Sequence, residues 1–200
     1  MDDLEAVTAT MNGTPEAFSV LVERYTPILF RLVDKMSDPD DSVEEKEEAV
    51  QEIFLKVYRS LHTFDTRYRF YTWIYSIGMN HLRSHRRKKR SSRMFGLLPY
   101  DDGIQKQGTD SPPDMKWPIY TSDSPEEYSI LREGERLAQQ ALETLKPRER
   151  EVFVLRVLEQ HSVEETAQIL NIPPGTVKVR LHRAKKFLVS KMRRWQWEAE

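Results

Sequence analysis

The stretch 95–125 sets the strongest limit on what this chain of 200 residues can fold into. It has no apolar periodicity, and it carries Gly96, Gly103 and Gly108 with Pro99, Pro112, Pro113, Pro118 and Pro125. A structureless run of that length is improbable inside a compact domain. It reads as a linker over 95–124 that divides the chain into a unit over 1–94 and a unit over 125–200. On both sides apolar residues recur with the period of a helix face rather than alternating as in a half-buried strand. The expected fold class is therefore all-α: two small helical domains joined by a long flexible linker.

The net charge of −1 hides segregation. Residues 1–60 carry 6 Lys/Arg and 14 Asp/Glu, and residues 61–93 carry 9 and 1. Residues 94–130 carry 2 and 7, and residues 161–200 carry 8 and 4. Two basic blocks held apart by an acidic segment suit two separate sites for a polyanion, a layout that a single catalytic cleft would not need. With no cysteine there is no disulfide or thiolate chemistry. No apolar run is long enough to span a membrane, and the acidic start MDDLEAVTAT lacks the features of a secretory signal. The expectation is a cytoplasmic protein with no stable membrane insertion.

In the first unit, residues 14–36 read as a helix capped by Thr14 with Pro15 at its first position and Ala17 at its third. Phe18, Leu21, Val22, Tyr25, Ile28, Leu29 and Leu32 form its apolar stripe, which Pro27 is expected to kink or break. Residues 37–44, SDPDDSVE, read as turn chemistry and then a cap, and a helix from Val43 to Leu61 buries Val50, Ile53, Phe54 and Val57. Its other side is acidic, either solvated or a dock for a basic partner protein.

Residues 67–90, RYRFYTWIYSIGMNHLRSHRRKKR, are aromatic in their first half and cationic in their second. Phe70, Trp73, Ile74, Ile77 and His81 share a helical period, so Trp73 and Ile77 are expected inside, with Tyr71, Tyr75 and the arginines on other faces. The helix should end by about Arg93. Flat rings beside dense positive charge suit unstacked bases beside phosphates, since base stacking on an aromatic is worth roughly 1–3 kcal/mol. Core aromatics followed by a solvated basic helix end would give the same pattern.

In the second unit, Ser124-Pro125-Glu126-Glu127 opens a helix whose stripe of Leu131, Leu137, Ala138, Ala141 and Leu142 ends at Leu145. Pro147 starts a helix over 148–158, and Ser162-x-x-Glu165 is a capping box opening a helix through Leu170. The turn 171–175 follows. Thr176 is expected to cap a last helix with Val177, Leu181, Ala184 and Leu188 inside and Lys178, Arg180, Arg183, Lys185 and Lys186 outside. Short helix, tight turn and basic helix make a helix-turn-helix, whose second helix is the one suited to a major groove.

Several blocks in order resemble the extracytoplasmic-function sigma factors, the group IV members of the sigma-70 family. They are Glu16-Ala17-Phe18 with Leu21, Val22 and Tyr25; residues 51–58, QEIFLKVY; Phe64-Asp65 with residues 70–74, FYTWI, Ile77 and Asn80; residues 145–153, LKPREREVF; and residues 175–180, GTVKVR. The chain departs from the family pattern in the acids before Gln51, in Gly78 where alanine is usual, and in His182 where a larger residue is frequent. The resemblance implies a protein that is not an enzyme, needs no cofactor or metal, and has core RNA polymerase, promoter DNA and an anti-sigma factor as partners. It implies polymerase binding by Glu48, Gln51, Glu52, Phe54 and Lys56. It implies binding of the −10 element by Phe64, Tyr71, Trp73, Tyr75, Asn80, Arg83, Arg86 and Arg87, with Phe64 and Asn80 around a flipped base. It implies binding of the −35 element by Thr176, Lys178, Val179, His182, Arg183 and Lys185. The acidic linker would shield the basic faces in the free protein and follow the RNA channel on polymerase.

Two other classes compete. His81 and His85, four residues apart, could hold a cation from one helix face, but no glutamate lies between them and no third ligand is evident. A two-domain helix-turn-helix regulator acting without polymerase explains the second unit and leaves the aromatic and acidic helices without a role.

Overall fold

The computed structural model describes residues 1–38, 40–95 and 139–198. Every described element is helical. In the N-terminal unit these are α1 (Asp3–Met11), α2 (Ala17–Met36), α3 (Val43–Ser60), a 3₁₀ turn (Leu61–Thr63) and α4 (Phe70–Phe95). In the C-terminal unit a helical segment at 139–143 is followed by α5 (Pro147–Phe153), a π turn (Val154–Leu158), α6 (Val163–Leu170) and α7 (Pro174–Glu198). The linker and the expected helix start at Ser124 fall outside the described residues.

Local chemistry sets most boundaries. Ser42 and Glu45 form a reciprocal capping box at the start of α3, and Ser162 and Glu165 form another at α6. Asn171 ends α6 in the left-handed conformation, φ 51°. α1 was not expected from the sequence, yet its signal is of the same kind: Asp2 and Glu5 form a capping box, and Ala6, Val7 and Thr10 bury one face.

Other expectations need correction. Pro27 lies inside an α2 that continues through Met36. The hydrogen bond lost at proline is outweighed by burial on both sides of it, at Val22, Tyr25, Thr26, Leu29 and Leu32. Thr14 does not cap α2, which begins at Ala17 after a turn. Thr176 is no cap either: α7 begins at Pro174, which places Thr176 within its first turn. The helix expected over 148–158 is α helical only from Pro147 to Phe153 and then widens, with Glu159 N–H donating to Val154 O at 2.9 Å.

The first core joins Leu21, Leu29, Leu32 and Met36 of α2 to Val50, Ile53 and Val57 of α3 and to Ile74 and Met79 of α4. The second joins Val152 of α5 and Leu155 of the π turn to Ala167, Ile169 and Leu170 of α6 and to Val177 and Ala184 of α7. Ala167 and Val177 are both buried in this core, where the two helices of the helix-turn-helix pack on each other. The two units also pack on each other, mainly through α4 against α6 and through α2 against the π turn.

Candidate nucleic-acid interface

The expected faces of α4 are partly exchanged. Trp73 and Ile77 are only half-buried, whereas Ile74 and Tyr75 are fully buried. The reason is tertiary: the C-terminal unit covers the tyrosine side. Tyr75 OH donates to Glu159 Oε2 at 2.7 Å, and Arg31 Nη2 lies 3.2 Å from the same oxygen. Burial, then hydrogen bonding to Tyr71 and Glu159, pushes the Tyr75 hydroxyl far above its ordinary range. The His161 ring sits 4.5 Å from Tyr75 and 5.1 Å from Tyr71, centroid to centroid.

Arg83 adds a fork. Its Nε and Nη2 donate to Glu151 Oε1 and Oε2 at 2.9 and 2.6 Å, and the Glu151 side chain is 7% exposed. This bidentate geometry is the strong form of an ion pair. Arg150 crosses the other way. Fully buried, it donates to Lys35 O at 2.7 Å and to Ser37 O at 3.0 Å, satisfying carbonyls at the C-terminus of α2. Burial and then the nearby Arg86 lower its pKa to about 10.

The remaining −10 candidates lie on a second stripe. Phe64 packs at 5.3 Å from Trp73 and 5.4 Å from Phe70. Trp73, Ile77 and Asn80 follow at helical spacing, with Asn80 exposed. Arg87 is exposed, and Arg86 is half-buried 4.0 Å from Asp38. The structure thus separates Phe64, Trp73 and Asn80, on an open stripe, from Tyr71, Tyr75 and Arg83, which the other unit engages.

The −35 candidates share one open surface. Lys178, Val179, His182, Arg183 and Lys185 are exposed on α7, and Thr176 is half-buried beside them. A groove of about 710 Å³ runs between the starts of α5 and α7, and Lys146, Arg148, Arg180 and Arg183 line it against one acid, Glu149. Sequence reasoning overlooked Lys146 and Arg148 for this surface, because only the turn between α6 and α7 brings the start of α5 beside α7.

On α3, Glu48, Gln51, Glu52 and Lys56 are exposed, while Phe54 is buried against Phe18 with rings 6.3 Å apart. Leu55 and Tyr58 are exposed apolar groups beside them. Lys56 Nζ lies 2.6 Å from His81 Nδ1. Burial, then Lys56, hold His81 neutral, with its pKa lowered to about 4. An ammonium on Nδ1 opposes a cation there, so the His81–His85 metal reading fails. Among the described residues no cluster of three or more metal-ligating side chains occurs, and no helix is long and apolar enough to cross a membrane.

Comparison with known proteins matches both helical units. The profile of Sigma-70 region 2 matches residues 21–92, and that of Sigma-70, region 4 matches residues 135–188. The ECF RNA polymerase sigma factor SigW of Bacillus subtilis is 30% identical over 181 residues, covering 90% of this chain and 91% of that protein. Among solved structures, CnrH in complex with the cytosolic domain of CnrY superposes with a TM-score of 0.64 at 22% identity, covering 95% of this chain and 96% of that one. The sigma factor RpoE in complex with the anti-sigma factor NepR from Bartonella quintana gives 0.59 at 22% identity, over 88% of this chain and 96% of that one. With both profiles in order and a 30% identical relative matched along nearly its whole length, this chain belongs to the ECF RNA polymerase sigma factors.

Proposed function

We propose a division of labour within a sigma factor that binds core RNA polymerase and directs promoter recognition, melting and initiation. The α3 face of Glu48, Gln51, Glu52 and Lys56, with Leu55 and Tyr58 beside it, docks on the polymerase, while Phe54 supports it from the core. The stripe of Phe64, Trp73 and Asn80 takes the base flipped from the −10 element. Tyr71, Tyr75, Arg83, Arg86 and Arg87 hold the displaced strand and its backbone. Lys178, Val179, His182, Arg183 and Lys185 enter the −35 major groove, where Lys and Arg can donate to guanine or to phosphate, with Thr176 at the groove's edge. The unit boundaries at 94 and 125 separate these tasks. Chemistry belongs to the core enzyme, so this chain contributes recognition and no catalytic group. Its place of action is the cytoplasm, and an anti-sigma factor is its antagonist, as the complex named for RpoE suggests.

The carrying observation is the presence of two basic surfaces on separate helical units, one beside aromatic rings and one on a helix-turn-helix. The test is run-off transcription. The chain alone should bind duplex promoter poorly, and with core polymerase it should direct initiation from defined start sites. A chain that binds its operator tightly alone and leaves polymerase unchanged would be the helix-turn-helix regulator instead.

A further inference from the structure

Three groups assigned above to the DNA strand, Tyr71, Tyr75 and Arg83, are in contact with the other unit. Tyr71 and Tyr75 form an aromatic pair, and the His161 ring packs against it, tilted by 35° on Tyr71 at 5.1 Å and edge-on to Tyr75 at 4.5 Å. Arg31 and the Tyr75 hydroxyl are donors converging on one point, and the Glu159 carboxylate occupies it, 4% exposed. Arg83 presents a planar fork suited to phosphate, and the Glu151 carboxylate fills it at 2.9 and 2.6 Å. One ring on an aromatic pair and two anions on neighbouring cations reproduce the chemistry of a nucleotide strand.

The segment carrying these groups has an unusual backbone. The π turn adds a residue before Glu159, and Gln160 adopts the left-handed conformation at φ 55°, uncommon for a residue other than glycine. Arg156 Nη1 donates to His161 O and fixes the loop from behind. Arg150 and Gln139 anchor the same unit on the carbonyls that end α2.

We infer that Glu151, Glu159 and His161 form an internal strand mimic, which occupies the Tyr71–Tyr75–Arg83 face in the free chain and keeps single-stranded DNA from it until the units separate. The inference rests on the proposal that this face binds the displaced strand. It assigns the shielding of these cations to the helix-turn-helix unit, a role the sequence suggested for the acids of the linker. A strand that binds only the open form has its apparent dissociation constant raised by the inverse of the open fraction.

The test measures anisotropy of a short fluorescein-labelled thymidine strand on the full-length chain, which removes sequence readout and leaves stacking and charge. Glu151→Gln with Glu159→Gln should tighten binding by about tenfold or more, because each carboxylate carries charge-assisted bonds across the interface. Glu23→Gln with Glu164→Gln makes the same change of charge at exposed positions and should have little effect. In the opposite direction, Arg69→Cys with Glu165→Cys places a thiol on each unit where the side chains now approach at 3.9 Å. The chain has no other cysteine. Joining the pair with a reducible bismaleimide should abolish strand binding, and reduction should restore it. Equal affinity of the wild type, the opened variant and the locked chain would overturn the inference, as would an equal gain in the surface control. Both the wild type and the opened variant should still direct initiation with core polymerase. If neither does, the reading of the face falls, and the inference with it.

Discussion

Gly78 offers a quantitative test of the packing on which α4 depends. It lies in the middle of α4, and a methyl group built there would meet Leu32 Cδ2 at 3.4 Å, Leu29 Cδ2 at 3.6 Å and Ile53 Cδ1 at 3.8 Å. All three are ordinary contacts with the ends of flexible side chains, so the site holds a methyl without backbone movement. Replacing glycine by alanine in a helix interior gains about 0.8–1 kcal/mol of helix propensity. Burying the added methyl contributes about 0.8 kcal/mol more. Gly78→Ala should therefore stabilise the fold by about 1–2 kcal/mol. In urea denaturation followed by circular dichroism, the midpoint should rise with an unchanged slope. In thermal unfolding, Tm should rise by roughly 2–4 °C per kcal/mol if the chain melts as one unit. Gly78→Val adds bulk that the α2–α3–α4 junction lacks room for and should cost about 1–3 kcal/mol. A lower Tm for Gly78→Ala would mean that the helices approach more closely than these distances indicate, and the packing argument would fail.

Asn80→Ala should slow open-complex formation by a factor matching about 1–3 kcal/mol, the cost of a base edge left unpaired, while −35 binding by the holoenzyme persists; permanganate footprinting distinguishes the two, and equal loss of both would make Asn80 structural. Arg183→Ala should weaken holoenzyme binding to −35 duplex. If the contact is to phosphate, the slope of log K on log salt should fall by about one; if it is to guanine, preference at one base should relax by roughly 1–3 kcal/mol. His81 gives a pH dependence. Its folded pKa of about 4, set by burial and then by Lys56, His85 and Lys88, lies below the ordinary 6.5, so the folded state binds fewer protons than the unfolded chain. The stability that neutral His81 contributes is present above pH 6.5 and is lost as pH falls toward 4, by about 1–2 kcal/mol between pH 6.5 and 5. Urea midpoints across that range should show the slope, and His81→Gln should flatten it.

Much of the site was legible from side-chain type and spacing. The exposed cations of α7, the exposed acids of α3 and the aromatic-to-basic switch along α4 are all periodic features, and periodicity reports directly which residues share a helix face. Depth was less legible. Phe54 is four residues before Tyr58 on one helix and both rings meet Phe18 edge-on, at 6.3 and 5.1 Å, yet the first is buried and the second exposed, a difference in depth that their shared spacing does not encode. α1 went unread although Asp2 and Glu5 carry the same capping signal that marked α6.

The sequence by itself determined the class of fold, the order of the helices after α1, the capping box of α6, the helix-turn-helix and the family. Each of these rests on interactions within a few residues, or on patterns repeated along one helix. The tertiary structure decided what covers each face. Arg83 meets Glu151 across 68 residues, Tyr75 meets Glu159 across 84, and Arg150 reaches Lys35 across 115. No local period encodes such pairs, since either partner alone reads as a solvated charge or a core ring. Only the packing of one unit on the other sets Glu159 on the buried Tyr75 and Glu151 on Arg83, and so makes two glutamates of an amphipathic helix and its π turn into partners of the basic helix.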